Sequence, residues 1–262
     1  MRDKKLGAAG CQNLAAVSLG AGIMMLAITL MLAGEAAAQT KSTPRPDFSG
    51  EYRIQPAGSP GSKNLPRAPR NGTPRERAYT VDGQLAPLLP WARKLYDERI
   101  EAAENGQTFR HTLTKCLPPG MPMGTLFAFY PIQILQTPEQ LTMLFEEGNH
   151  FRIIRMNQPH AKDPDPNFWG DAAGKWEGET LIIDTIGVRD DTTLDFLGFP
   201  HSEKLHVVER MRRLDANTLE GRVTLEDADA YARSWEAVAI WKKLDPKDHI
   251  REMVCENTRF FE

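Results

Sequence analysis

The stretch that decides the fold is Leu205–Glu226, with the sequence LHVVERMRRLDANTLEGRVTLE. It contains two runs, His206–Leu214 and Thr218–Glu226, in which apolar and polar residues largely alternate. The residues between them, Asp215-Ala216-Asn217, are typical of a turn. Alternation with a period of two on both sides of a short turn predicts an antiparallel β-hairpin.

Short strands extend outward from this hairpin in both directions. Similar segments occur at Ile132–Thr137, Gln140–Glu146, Phe151–Met156, Lys175–Trp176, Thr180–Ile186, Trp235–Leu244 and His249–Cys255. About nine strands joined by short turns are typical of an antiparallel meander, and closure of a meander removes its exposed edges. The sequence shows no internal repeat and no alternation of strands with helices. It therefore predicts a mainly β fold, an antiparallel β-barrel.

The N-terminal side of the barrel carries one predicted helix and a proline-rich arm. Apolar residues recur at helical spacing over Pro90–Glu104, and Asn105-Gly106 ends the pattern. Residues 39–87 contain eight prolines, which favours an extended arm, although Asp47–Ile54 within it has a strand-like alternation. We therefore expect an arm over 39–87 and a barrel domain with a leading helix over 88–262.

Residues 1–38 are predicted to be a secretory signal peptide. Three basic residues near the start precede an apolar stretch, Leu14–Ala33, and Ala36-Ala37-Ala38 supplies the small residues of a cleavage site. The apolar stretch is long, so an uncleaved N-terminal anchor is the alternative. Cleavage would place the protein in the periplasm or outside the cell, with no membrane association afterwards.

Two cysteines, Cys116 and Cys255, follow the predicted leader. An exported chain can form disulfides, so the simplest interpretation is that these cysteines pair. The bond would tie the start of the barrel domain to its last strand. Two buried free thiols are the alternative.

Composition and motifs argue against several classes of function. The chain has 262 residues, a formal net charge of -3 and a pI near 6.1, which does not suit a nucleic-acid-binding protein. Glycine-rich phosphate loops, the GxSxG nucleophile motif and the HExxH and CxxC metal motifs do not occur. His201, Glu203 and His206 would not converge on a strand, so no metal and no other cofactor is predicted. The oligomeric state stays open.

Three motifs carry a resemblance to a known family. They are CLPPG at Cys116–Gly120, PHSE at Pro200–Glu203 and LHVVER at Leu205–Arg210. With these motifs in this order, the chain over about residues 45–258 resembles a large family of secreted bacterial proteins that has no established activity. The fold looks calycin- or lipocalin-like. The chain departs from the family at Gly170-Asp171-Ala172, where the family often has Gly-His-Ser.

Polar residues beside and within the first strand of the hairpin point to a catalytic group. Alternation from Glu203 places Glu203 and Glu209 on the more apolar face of the strand, which would face the barrel interior. Desolvation there raises a carboxyl pKa toward the range useful for proton transfer. His201 precedes the strand and would lie at the barrel mouth. We predict His201, Glu203 and Glu209 as catalytic residues.

A second set of residues is predicted to contact a ligand in the barrel cavity. Alternation on a neighbouring strand turns Asp184 inward, Arg210 could orient the ligand, and aromatic side chains could line the pocket. The predicted ligand-binding residues are Asp184, Trp169, Trp176, Arg210 and Tyr231.

Several of these residues also have a structural interpretation. Glu209 could form a buried ion pair with an arginine such as Arg155 or Arg222. His201 could cap a loop through a backbone hydrogen bond. The aromatic side chains could belong to the hydrophobic core.

The leading functional hypothesis is an exported barrel protein that binds a small apolar or aromatic molecule and performs acid–base chemistry on it. The reaction would need no cofactor and would be of the lyase, isomerase or cyclase type. Glu203 or Glu209 would transfer the proton, with His201 as partner. The alternatives are a non-catalytic periplasmic carrier and an envelope protein that binds a partner through its arm.

Overall fold

Nine strands close into a barrel in the computed structural model, which describes residues 45–55, 80–81, 84–107, 112–127 and 130–255. The strands are β1 (Gly50–Gln55), β2 (Ile132–Gln136), β3 (Gln140–Phe145), β4 (His150–Met156), β5 (Asp171–Glu177), β6 (Thr180–Ile186), β7 (His206–Asp215), β8 (Thr218–Glu226) and β9 (Trp235–Lys243). The helices are α1 (Pro90–Glu104), the single turn α2 (Met123–Leu126) and two short 3-10 helices, Thr112–Lys115 and Glu147–Asn149. All described residues belong to one compact unit, Thr43–Glu262.

Each strand pairs with the next along the chain, and β9 pairs with β1 to close the barrel. Every pair is antiparallel except β4 and β5, which run parallel with Ile154 beside Ala172. The 157–170 connection returns the chain to the end of the barrel where β4 begins. The predicted barrel is confirmed, but it is mixed rather than wholly antiparallel. Alternation within a strand reports its buried face and not the direction of its neighbour.

Strand β1 lies inside the predicted arm and supplies the ninth strand of the barrel. It pairs with β2 on one side and with β9 on the other. Because β1 covers the second edge of β9, the chain after β9 has no edge to join, and 249–255 contains no strand. The predicted strand His249–Cys255 is therefore wrong, and the barrel begins upstream of residue 88. The predicted signal peptide, 1–38, and most of the arm lie outside the described residues.

The barrel interior is a packed core. Inward-facing residues from all nine strands are buried, as expected when the side chains of a small barrel fill its interior. The largest fully buried side chains of the strands are Trp241, Arg152, Tyr52, Ile132, Ile134, Leu141 and Met143.

Helix α1 and the loops around it cover one end of the barrel. The helix has the predicted bounds, and Ala92, Tyr96 and Ile100 recur every fourth residue on its buried face. The Tyr96 ring meets Phe199 edge-on with ring centroids 4.9 Å apart, and Phe199 also contacts Tyr231. The single turn α2 is a second helix that the sequence did not predict. Within the described part of the chain, no helix has the length and hydropathy needed to span a membrane.

Cys116 and Cys255 form the predicted disulfide, with Cα atoms 5.5 Å apart. Cys116 follows the 3-10 helix Thr112–Lys115, and Cys255 lies in the segment after β9 rather than in a strand. The same segment is held at Asn149, whose side-chain amide exchanges hydrogen bonds of 3.1 and 3.3 Å with the Met253 backbone. The disulfide indicates an oxidising compartment.

Candidate functional site

A cleft of about 640 Å³ opens between α1 and the loop that precedes β7. Trp91 and Leu95 lie one turn apart on the same face of α1 and form the apolar part of one wall, which Arg99 continues one turn further along the helix. The opposite wall is the 190–204 loop, which carries mostly polar and charged groups. Of the predicted site residues, His201 and Glu203 line this cleft. Small-molecule sites typically have volumes of roughly 300–1,000 Å³, so the cleft has a suitable size.

Asp227 holds the polar wall in place. Its buried carboxylate, in the turn after β8, accepts hydrogen bonds from the backbone N–H and the hydroxyl of Ser202 at 2.6 and 2.7 Å. It also accepts a backbone N–H bond from Asp229 in its own turn. The Tyr231 hydroxyl donates to the Pro200 carbonyl at 3.2 Å. These bonds join the loop before β7 to the turn after β8.

His201 lies behind the polar wall, 3% exposed, and is held at both ring nitrogens. Burial lowers the pKa of His201, although the hydrogen bond to the Ser202 carbonyl acts in the opposite direction, so the ring is neutral at pH 7. A neutral ring has one N–H, and Nδ1 carries it, because this atom lies 2.9 Å from the Ser202 carbonyl oxygen. Nε2 then accepts from the Thr192 hydroxyl at 2.8 Å. Both nitrogens are engaged within the protein, which suits a group that positions the loop.

Glu203 is an exposed carboxylate at the cleft. Strand β7 begins only at His206, and the Leu205 N–H donates to the Ser202 carbonyl in the turn before it. Glu203 therefore lies in a turn, and its predicted position on the inward face of a strand is wrong. The carboxylate has no hydrogen-bond or ion-pair partner among the described residues.

Several other charged groups around the cleft are paired, although Asp190, which also lines it, has no ion-pair partner among the described residues. Lys204 Nζ lies 2.9 Å from Asp229 Oδ2. Arg189 donates two hydrogen bonds to Asp191, of 2.8 and 2.6 Å, and these bonds hold the pKa of Asp191 below its ordinary value. Glu203 differs from the paired groups because no cation of the described residues neutralises it.

Glu209 faces the barrel interior, as alternation predicts, and forms an ion pair there. Its Oε2 atom lies 2.5 Å from Nη2 of Arg152, and both side chains are buried. The same Nη2 atom donates to the Thr185 hydroxyl at 2.9 Å. The interpretation of Glu209 as half of a buried ion pair is confirmed, with Arg152 as partner instead of Arg155 or Arg222.

Arg152 spans the interior from β4 to its partners on β6 and β7. The strand between them, β5, has the small inward residues Ala172 and Gly174, and the side chains of Ile154 and Met156 pack against Gly174. The Nε and Nη1 groups of Arg152 are buried without a hydrogen-bond partner among the described residues. Unpaired buried donors are costly, so the pair adds little net stability, yet loss of one partner would be strongly destabilising.

Asp184 and Arg210 lie on the outer wall of the barrel. The inward residues of β6, all fully buried, are Leu181, Ile183 and Thr185. Asp184 alternates with them and faces outward with 42% of its side chain exposed, so its predicted inward orientation is wrong. Ile182 on the outer face is also apolar, and for this reason the pattern of β6 does not separate its two faces. Arg210 is exposed on β7 and does not line the cleft.

The three predicted ligand-binding aromatics lie apart and pack against the protein. Trp169 stacks on Phe145 with ring centroids 4.4 Å apart. Its ring also covers Gly124, where a Cβ atom would come within 2.5 Å of the indole. Trp176 packs at the other end of the barrel, and Tyr231 belongs to the aromatic cluster beneath α1. Their packing favours the interpretation of these residues as parts of the core.

Sequence analysis missed Arg152, Asp227 and His160. The alternation of β4 contains a signal for Arg152, because this residue occupies an inward position of the segment HFRIIRM. Asp227 follows a strand and begins a turn, where an aspartate side chain often accepts backbone N–H bonds. His160 lies in a loop with no regular pattern, and nothing local indicates its partners.

Comparison with known proteins adds no relative: no protein-family model matches this chain, and no curated protein matches it. Within the described residues, no group of three or more His, Cys, Asp or Glu side chains is arranged to hold a metal ion. The functional argument therefore depends on the geometry of the cleft.

Proposed function

We propose that this protein is an exported barrel that binds a small molecule with an apolar or aromatic face in the cleft between α1 and the 190–204 loop. The observation that carries the proposal is the apolar wall of Trp91 and Leu95 opposite a polar wall that Asp227 holds in place. An aromatic ligand would stack on the Trp91 indole, which is 46% exposed, while its polar substituents contact the loop. The disulfide supports a location in the periplasm or outside the cell.

The cleft suits a ligand better than the barrel interior does. Bulky side chains such as Trp241 and Tyr52 fill the interior, and the unpaired donors of Arg152 are themselves buried. A ligand inside the barrel would have to displace packed side chains, which is costly in a close-packed core. We therefore place the ligand in the cleft.

A second candidate function is acid–base chemistry on the bound molecule without a cofactor, of the lyase, isomerase or cyclase type. The observation in its favour is Glu203, an exposed carboxylate in the same cleft with no ion-pair partner among the described residues. A proton-transfer group must reach the ligand and change its charge during the reaction. Glu203 can reach a ligand in the cleft, whereas Glu209 is fixed to Arg152 inside the barrel.

A thermal-shift screen against small aromatic and terpenoid compounds tests the binding proposal. A compound at a hundred times its Kd should stabilise the protein by about 2.7 kcal/mol. Trp91→Ala should lose this stabilisation, because the apolar wall is removed. Phe151→Ala is the matched control, since Phe151 is 58% exposed on the outer wall of β4.

If a compound stabilises the wild type and Phe151→Ala but not Trp91→Ala, the result supports ligand binding in the cleft. Equal stabilisation of all three proteins would place the ligand elsewhere. If no compound in the panel stabilises the protein, the small-molecule proposal is contradicted. The alternative of an envelope protein that binds a partner through its arm is then favoured.

Glu203→Gln separates the enzyme from the carrier once a ligand is known. In an enzyme, turnover should fall by about 100-fold or more while affinity changes only a few-fold, because the lost group acts in proton transfer. In a carrier, no turnover is detected and only affinity changes. Glu179→Gln is the matched control, an exposed glutamate in the turn between β5 and β6.

A further inference from the structure

Two histidines meet at one carboxylate oxygen on the outer wall of the barrel. Nε2 of His160, in the 157–170 loop, lies 2.9 Å from Oδ1 of Asp184, and Nε2 of His206 lies 3.0 Å from the same oxygen. Both rings are also held at the other nitrogen. His160 Nδ1 lies 3.2 Å from Asp171, and His206 Nδ1 lies 3.0 Å from Glu226. We call these five side chains the histidine clasp.

A count of protons determines the charge of both rings in this arrangement. A neutral imidazole has one N–H and one lone pair, whereas a carboxylate offers lone pairs only. A neutral ring between two carboxylates would therefore direct a lone pair at one of them. Four favourable contacts require His160 and His206 to carry two protons each, and hence a positive charge.

The charges around the clasp balance when both rings are protonated. Three carboxylates face two imidazolium rings, and Arg155 of β4 donates to Asp171 as a third cation. The cross-strand neighbours of Asp184 on β5 and β7 are Ala173 and Val208, which carry no charge. Loss of both ring protons would leave three negative charges against one positive charge.

The clasp holds the middle of the 157–170 loop. The ends of this loop are tied to the barrel by backbone hydrogen bonds at Asn157 and Asn167. Between these ends, the hydrogen bonds to the barrel wall within the described residues come from the His160 ring and from the Ala161 N–H, which donates to Asp171 at 2.9 Å. Pro164 lies against Gly187 after β6, but the hydrogen bonds of the central loop to the wall depend on the clasp.

We propose that the histidine clasp is a proton-operated latch, which holds the 157–170 loop on the barrel wall while both rings are charged and releases its centre when they lose their protons. The release is local, because the bonds at Asn157 and Asn167 do not involve the histidines. The centre of the loop is attached to the barrel wall at mildly acidic pH and released from it at alkaline pH.

The pKa values of two clasp residues agree with this direction. Burial lowers the pKa of His206, but hydrogen bonds to Glu226 and Asp184 and the charges of these carboxylates raise it above its ordinary value. Burial raises the pKa of Asp171, but the Ala161 N–H and Arg155 together lower it below its ordinary value. The contacts of His206 are thus complete below about pH 6.5 and are lost as the pH rises through the higher folded-state value.

Nitrogen-15 NMR of the histidine rings over about pH 5–9 tests the protonation. We expect His206 to keep both N–H groups at about pH 6.5, and the same spectra show whether His160 carries the second N–H that its two carboxylate contacts require. Asp184→Asn keeps an amide oxygen that can accept but removes the negative charge shared by the two rings, so His206 should lose its second proton at lower pH. Glu226→Gln should lower the pKa of His206 and leave the ring signals of His160 unchanged. Its side chain is half exposed, so this variant serves if Asp184→Asn fails to fold.

Exchange of the Ala161 amide, corrected for its intrinsic pH dependence, reports the loop. Protection should fall by about tenfold or more from mildly acidic to alkaline pH, in step with the ring protons. His160→Asn should lose the protection at every pH, and His249→Asn is the matched control that should keep it. A neutral His160 or His206 ring at about pH 6, or a protection of Ala161 that does not change with pH, would overturn the latch.

Discussion

The cleft beside α1 and the interior of the barrel each hold one glutamate from the same short stretch of sequence. In the interior, Glu209 is 2% exposed and lies 2.5 Å from Arg152. In the cleft, Glu203 is exposed and has no ion-pair partner among the described residues. A buried carboxylate needs a partner to stay charged, and that partner then holds it in place. Water solvates an exposed carboxylate, which leaves it able to contact a ligand.

The largest effect is expected when the interior pair is broken. Glu209→Gln leaves Arg152 charged and buried without its partner, so the free energy of unfolding should fall by about 3–5 kcal/mol. Urea denaturation followed by tryptophan fluorescence measures this change. Glu203→Gln is the matched control in the cleft and should change the same quantity by less than about 0.5 kcal/mol.

A double replacement extends this test. Arg152→Met with Glu209→Leu removes both charges together with the unpaired donors, so the double variant should be more stable than Glu209→Gln. A double variant less stable than Glu209→Gln would show that the pair contributes a large net stabilisation, against our interpretation.

A smaller effect is expected on the cleft side, at the disulfide. Cys116 follows Lys115, which lines the cleft. Cys116→Ser should lower the free energy of unfolding by about 2–4 kcal/mol, because the unfolded chain is no longer cross-linked. Chemical unfolding with and without a reductant measures the loss. Reductant should weaken the wild type and leave Cys116→Ser unchanged. A wild type of unchanged stability, with reduction verified by thiol labelling, would contradict this prediction.

The smallest effect is expected at His201, in acid. Burial lowers the pKa of His201, and the hydrogen bond to Ser202 only partly opposes this. The unfolded chain therefore binds a proton at higher pH than the folded protein does. The stability from the neutral ring is complete above about pH 6.5 and is lost as the pH falls through the lower folded-state value.

Thermal unfolding of His201→Asn at a series of pH values measures this contribution. The variant should lose less stability than the wild type as the pH falls below about 6.5, because the unfolded imidazole gains its proton at higher pH than the folded one. Glu203→Gln, the exposed neighbour, should follow the wild type. Parallel loss in the wild type and His201→Asn would show that another group causes the acid dependence.

Local sequence patterns were enough to predict several features of the fold. Alternation identified the hairpin of β7 and β8 and turned Glu209 inward, because the side-chain period of a strand is two whatever its partners are. Helical spacing predicted Pro90–Glu104 with its observed bounds. The pairing of Cys116 with Cys255 followed because only two cysteines remain after the predicted leader. In each case the signal lies in one short segment or in a count of residues.

Only the tertiary structure decided how these segments meet. It brought β1 to the free edge of β9, set β5 parallel to β4, and gave Glu209 its partner Arg152 from a distant strand. It also turned Asp184 outward on a strand with apolar residues on both faces and placed His160 beside it. The physical reason is that alternation reports which face of a strand is buried, whereas the contacts of that face depend on the order and direction of strands that are far apart in sequence.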